Sequence, residues 1–322
     1  MRPALKSFAF ATVFAILLPV TQASASPSEL LAAGRVDDLI ATLQSQLQSS
    51  PNDAASYHYL CRAYFAVQDF DRAIFACERA TTLSTNNSDY HLWLGRSYGE
   101  KADRVNPFSA ASLAGKVRRE FERAVELDPN SVDARLDLAE FYLNAPGIVG
   151  GGQDKARAQA VELAKIAPAA AHYLSGRIAE KNKNLPAAEN EYRAAVEASK
   201  GHANDWFNLA LFYRHNNRFD EMEKTLGQAA EAHSGQNEVL MECAEVLLRT
   251  GRSPISAARL VRRYLTSNSP TEKAPMFKAH YVLGDALEKQ GDLQGAAQEY
   301  RAALALASNF SAAQHALKRV TK

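Results

Sequence analysis

Three cysteines are all that the 322 residues hold, and Cys61, Cys77 and Cys243 form neither a CxxC pair nor a metal-site spacing. The eight histidines include no HExxH and no pair three or four residues apart, which removes the helical zinc signatures. GxSxG is absent, as is any Ser/His/Asp signature or any cysteine in a local catalytic context. An excess of one charge is missing too: 37 Lys and Arg stand against 36 Asp and Glu, a net of +1. Polyphosphate binding draws on a strong basic field, so no nucleic-acid partner is expected. Arg259, Arg262 and Arg263, the nearest basic cluster, read as one solvated helix face. The sequence therefore predicts no enzyme: no catalytic residue, no metal site and no cofactor.

Only the front of the chain is continuously apolar. Arg2 and Lys6 precede a run from Ser7 to Val20, and Ala23-Ser24-Ala25 places small residues at both positions before a cut. The run is shorter than the ~20 residues that cross a bilayer, so residues 1–25 read as a signal peptide, with a retained N-terminal anchor as the alternative. Cleavage after Ala25 leaves no transmembrane segment and predicts an exported chain, periplasmic or secreted. It removes two cations and no acid, so the charge balance stays near zero. Disulfides persist in such a compartment. A Cys61–Cys77 bridge is one reading of that pair; two small buried packing residues are the other.

What the chain has in abundance is a recurring phrase. His91-x2-Leu94-Gly95-x2-Tyr98 returns as Tyr57-x2-Leu60-Cys61-x2-Tyr64, as Leu138-Ala139-x2-Tyr142, as Trp206-x2-Leu209-Ala210-x2-Tyr213 and as Leu283-Gly284. A second phrase follows three of them: Ala73-x3-Cys77-x2-Ala80, Phe121-x2-Ala124, then Ala296-x3-Tyr300-x2-Ala303. Small residues stand where two helices touch and large ones fill the gaps between units. The pattern resembles the tetratricopeptide repeat (TPR), whose 34-residue unit is a helix–turn–helix.

That resemblance implies an all-α, right-handed α-solenoid of about seven units over residues 54–310. An N-terminal half repeat (26–53) would precede it and a capping helix (311–322) would follow. Two units are stretched between their helices, by Lys101–Ala110 and by Asn144–Gly152. Both insertions occupy the same position of adjacent units and should sit side by side.

The resemblance also implies the work such a chain does: non-enzymatic binding of a protein or peptide partner along the concave face. Carried onto this sequence, the groove positions are Arg62, Arg96, Glu140, Arg177, Leu211, Glu245 and Asp285, flanked by His58, Leu92, Leu136, Tyr173, Phe207, Met241 and Tyr281. Arginine and aromatic residues carry interface energy, which makes Arg62, Arg96, Arg177, Tyr173 and Phe207 the expected anchors of an envelope scaffold. The alternative is a small-ligand-binding accessory of a transport system that uses loops 101–110 and 144–152. Gly150, Gly151, Gly152 and Lys155 would then be an anion cradle. A long inter-helix turn with Asp154 as N-cap also explains that loop. His91, His172 and His280 are expected as core packing residues. Oligomeric state is open at this point.

Overall fold

The structure is a computed structural model and describes residues 25–232, 237–267 and 269–322. The segment read as a signal peptide lies outside these residues except for Ala25, and so does His233. Among the described residues there are seventeen α-helices and no strand, as an all-α solenoid requires. They run in antiparallel pairs: α1 (Pro27–Ala32) with α2 (Val36–Ser49), α3 (Ala54–Ala66) with α4 (Phe70–Leu83), and α5 (Ser88–Ala102) with α6 (Pro107–Leu127). Then come α7 (Val132–Asn144) with α8 (Gln153–Ile166), α9 (Pro168–Lys181) with α10 (Leu185–Ala198), and α11 (Ala203–His215) with α12 (Phe219–Glu231). Last are α13 (Glu238–Arg249) with α14 (Pro254–Thr266), α15 (Met276–Lys289) with α16 (Leu293–Leu306), and a single α17 (Ser311–Val320). Residues 26–53 thus hold α2 and a shortened first helix, α1.

Local chemistry sets these boundaries. Several first helices end in a residue at positive φ: Gln68, Lys183, Asn217, Gly251 and Gly291. Asp53 and Asp69 then cap the next helices, accepting from the N–H groups of Ala55 (3.2 Å) and Arg72 (3.1 Å), donors that a helix start would otherwise leave unpaired. The recurring glycine is a contact requirement. A Cβ at Gly95 would lie 2.5 Å from the Phe121 ring, and one at Gly284 2.5 Å from Tyr300. Each pair closes by laying an aromatic ring directly on the opposing helix backbone.

The two insertions depart from expectation in different ways. Lys101–Ala110 is mostly helix, because Asn106 accepts from the Ser109 N–H at 3.1 Å and Pro107 fills the first turn, where its missing N–H has no consequence. The extra length goes into α6, which reaches 21 residues. The second insertion folds on itself through a 3₁₀ turn, Gly147–Val149. Gly152, not Asp154, is the N-cap of α8, and Asp154 sits in the first turn. The 3₁₀ turn packs on α6, with the Arg118 side chain against Gly150, so its contact lies past the end of the first insertion.

The capping helix was expected at a free end, but the two ends of the array meet. Phe277 and Phe310 share a core with Leu30, Leu31 and Val36 instead of with the α10–α14 helices that precede them in sequence. Gly34, at φ +72°, lies so close to α15 that a Cβ there would stand 2.6 Å from the Phe277 nitrogen. The side chains of Ser28 and Arg62 both reach Glu272. Accordingly Phe310 and Ala313 are buried, not capped by water. The first unit serves as the cap of the last.

Candidate functional site

Closure leaves a central cavity of about 980 Å³, near the upper end of the ~300–1,000 Å³ common for ligand sites. First helices of the units supply its walls. On one side stand Arg62, Trp93 and Arg96 from α3 and α5; on the other stand Glu238 and Glu245 from α13 with Tyr281 and Asp285 from α15. The 271–275 stretch between α14 and α15 contributes Thr271, Glu272, Lys273 and Pro275.

Of the five expected anchors, Arg62 and Arg96 line this cavity. They flank one ring: their guanidinium carbons lie 4.8 and 5.2 Å from the Trp93 centroid, within cation–π range. Arg62 pairs with Glu272, and its buried Nε has no partner. Burial lowers its pKa against the pull of Asp89. For Arg96, burial acts to lower the pKa, but Asp137 and Asp133 together raise it. Its Nε donates to Asp137 at 2.6 Å and its NH2 group to Asp133 at 3.1 Å.

Arg177, Tyr173 and Phe207 are not among the cavity-lining residues. Arg177 grips Glu140 with two bonds of 2.7 and 2.8 Å, and the Tyr173 hydroxyl donates to the same carboxylate at 3.2 Å. Bidentate pairs of this kind are directional and strong. Both arginines therefore join the first helices of adjacent units, Arg96 between α5 and α7 and Arg177 between α7 and α9. Phe207 packs against the second core cluster. Three flanking positions expected on the groove, His58, Leu92 and Met241, are buried at 4, 4 and 1 % exposure. The groove expectation treated those arginines as free, although their carboxylate partners lie one unit away, 37 and 41 residues downstream of Arg96 and 37 upstream of Arg177.

The glycine loop is spent internally. Gly150, Gly151 and Gly152 donate to the carbonyls of Gly147, Pro146 and Tyr142 at 2.9, 3.1 and 2.8 Å. Lys155 Nζ donates to the Gly150 carbonyl at 3.0 Å and lies 5.2 Å from the Tyr142 centroid. These N–H groups and this ammonium are turned inward, away from any anion. Cys61 and Cys77 are bonded to each other, tying α3 to α4 with Cα atoms 5.2 Å apart. Cys243 is free and buried. His91, His172 and His280 are not plain packing residues: each Nδ1 meets a glutamate of the second helix, Glu120, Glu191 and Glu299, at 2.7, 2.8 and 2.7 Å. No group of three or more His, Cys, Asp or Glu among the described residues is placed to hold a metal ion. No described helix is long and apolar enough to cross a membrane.

Sequence reading missed Trp93, Glu238, Glu272 and Lys278 as cavity residues. Glu238 alone carried a signal, since it shares a helix face with Glu245, which the groove positions already included.

A family profile described as tetratricopeptide repeat matches residues 173–237 and 241–309. No curated protein matches the chain. Among solved structures, a thermophilic TPR protein of Thermus thermophilus is 18% identical, with 61% of this chain and 99% of that one covered at a TM-score of 0.45. The MamA protein is 19% identical, with 55% and 90% covered at 0.36. YrrB, described as a TPR protein with an unusual peptide-binding site, is 16% identical, with 62% and 95% covered at 0.37. TPR repeats generally mediate protein–protein interaction. The repeat phrases, the paired helices and the profile match agree: this chain carries tetratricopeptide repeats and folds as an all-α TPR solenoid.

Proposed function

We propose that this chain is a non-enzymatic binding module of the cell envelope that seats a segment of a protein partner in its central cavity. The enclosure itself carries the reading. Two opposed walls, far apart in sequence, converge on a space of about 980 Å³, and they present an aromatic ring between two arginines on one side and carboxylates with Arg249, Lys273 and Lys278 on the other. Such mixed walls suit a peptide, whose backbone and side chains offer both donors and acceptors. Export is supported by Arg2, Lys6, the apolar run and Ala23-Ser24-Ala25. The loop-based small-ligand alternative has lost its support, because one loop is helix and the other spends its N–H groups on itself.

The test is site-specific photo-crosslinking in the native cell. A photoreactive residue at Lys273, exposed and facing the cavity, should capture a discrete protein adduct from the envelope fraction. The same residue at Glu197, exposed on α10, should not. Absence of an adduct at Lys273, or equal capture at both positions, removes the reading.

A further inference from the structure

The Cys61–Cys77 bond stands where other units of the array use a ring. Cys61 and Cys77 are 16 residues apart, the spacing of Gly176 from Tyr192 and of Gly284 from Tyr300. In those two units the tyrosine ring lies on the glycine, so close that an added Cβ would stand 3.2 or 2.5 Å from it. The same tyrosines make a second tie. Their hydroxyls donate to Glu180 at 2.9 Å and to Glu288 at 2.7 Å, each glutamate being four residues after its glycine. The α3–α4 unit has neither contact. Its glutamate position is Phe65, whose ring lines the cavity and meets Trp93 edge-on with centroids 5.3 Å apart. A covalent bond between α3 and α4 replaces both ties and leaves that position free to serve the wall.

The bond is also placed to set that wall. Cys61 precedes Arg62 in α3, and the Ser97 hydroxyl, next to Arg96 in α5, lies 3.6 and 3.9 Å from the two sulfurs. Three helices thus meet at the bond, and two of them, α3 and α5, present Arg62, Phe65, Trp93 and Arg96 to the cavity. Arg62 in turn reaches Glu272 across the seam. Two thiols that are not bonded must part to van der Waals distance. With no ring and no hydroxyl–carboxylate tie to hold the pair, α3 then shifts and carries Arg62 and Phe65 with it. We propose that oxidation of Cys61 and Cys77 is the step that closes the cavity, which is complete only in the oxidised chain. In that step each thiol gives up a proton and an electron, one S–S bond forms, and a disulfide donor such as oxidised glutathione is reduced to two thiols. The finished bond, at 0 and 1 % exposure, is withdrawn from attacking thiolates, so closure is a one-way commitment and not a reversible switch.

The test is acrylamide quenching of Trp93 in the full chain carrying Trp206→Phe, which leaves Trp93 as the sole tryptophan. The oxidised chain is compared with the chain refolded in dithiothreitol and with Cys61→Ala/Cys77→Ala. The alanine pair removes the bond by sequence and so decides the matter even where the refolded chain reoxidises. Without the bond the quenching constant of Trp93 should rise about twofold or more, while circular dichroism keeps its helical signal. In the converse chain, Trp93→Phe with Trp206 retained on α11, quenching should not change. Equal quenching of Trp93 with and without the bond overturns the proposal. An equal rise at Trp206, or loss of the helical signal, also overturns it, because the bond would then hold the whole array and not this wall. Trp93 reports the shape of the cavity without a partner, so the outcome is independent of what a photoreactive residue at Lys273 captures.

Discussion

Asp37 accepts the backbone N–H of Ser308 at 2.8 Å, joining residues 271 positions apart. With the Glu272 contacts of Ser28 and Arg62 and the backbone approach of Gly34 to Phe277, it forms the seam on which the cavity depends. Gly34→Val with Asp37→Asn should part that seam, since a side chain at Gly34 meets backbone and the positive φ resists it. Small-angle scattering should then show a larger maximum dimension while circular dichroism retains its helical signal. Unchanged scattering would mean that the ends hold together by other means.

The Cys61–Cys77 bond closes a loop with a sequence separation of 16. Chain-entropy reasoning gives such a loop about 3 kcal/mol of stability. Cys61→Ser/Cys77→Ser should lower the unfolding free energy by about that amount in denaturant titration, and the intact native chain should weigh two hydrogens less than its reduced form.

Two glycines of the last unit separate two kinds of strain. At Gly291, φ is +85° and an added Cβ meets nothing within 4 Å, so Gly291→Ala carries a purely conformational cost of about 1 kcal/mol. At Gly284 the Cβ would enter the Tyr300 ring, and Gly284→Ala should cost more, about 1–3 kcal/mol. Comparison of the two denaturation midpoints checks the order.

Two titrating groups should act in opposite directions. Glu120 raises the His91 pKa through its hydrogen bond, against burial and with help from the Thr85 carbonyl. The histidine therefore adds stability that is fully present below its unfolded value and lost as pH rises through the raised folded one. His91→Gln should lower the melting temperature at pH 5 more than at pH 9.

Glu242 behaves in reverse. Burial raises its pKa from 4.5 to about 7, aided by Glu238 and Glu245 and opposed by Lys278 and Lys273. Between those values the folded chain holds the proton that the unfolded chain releases, so stability falls as pH rises. Glu242→Gln should raise the melting temperature at pH 8 and leave it nearly unchanged at pH 4.

The repeat phrases made most of the fold legible, because each small residue marks a place where helices touch and each Asp or Asn a place where one begins. Asn106-Pro107 was legible as well: a capping side chain followed by proline is a helix start, which the insertion reading passed over. The seam was not legible. Gly34, Asp37, Glu272 and Ser308 belong to no motif, and only the accumulated rotation from one unit to the next brings them together. The cavity was half legible, because Arg62, Arg96 and Glu245 occupy groove positions. Which charges remain unpaired depends on neighbours 30 to 40 residues away, and on the opposite end of the chain.

An open array of repeats touches only its neighbours and can fray from either terminus while the middle stays folded. Here the first and last units touch through Gly34, Asp37 and the Glu272 contacts, which ties down the two ends from which melting would otherwise begin. Loss of the first or the last unit then breaks two contacts instead of one. Such a chain should unfold in a single sharp transition, at a concerted speed that the same repeats laid in a line would not show.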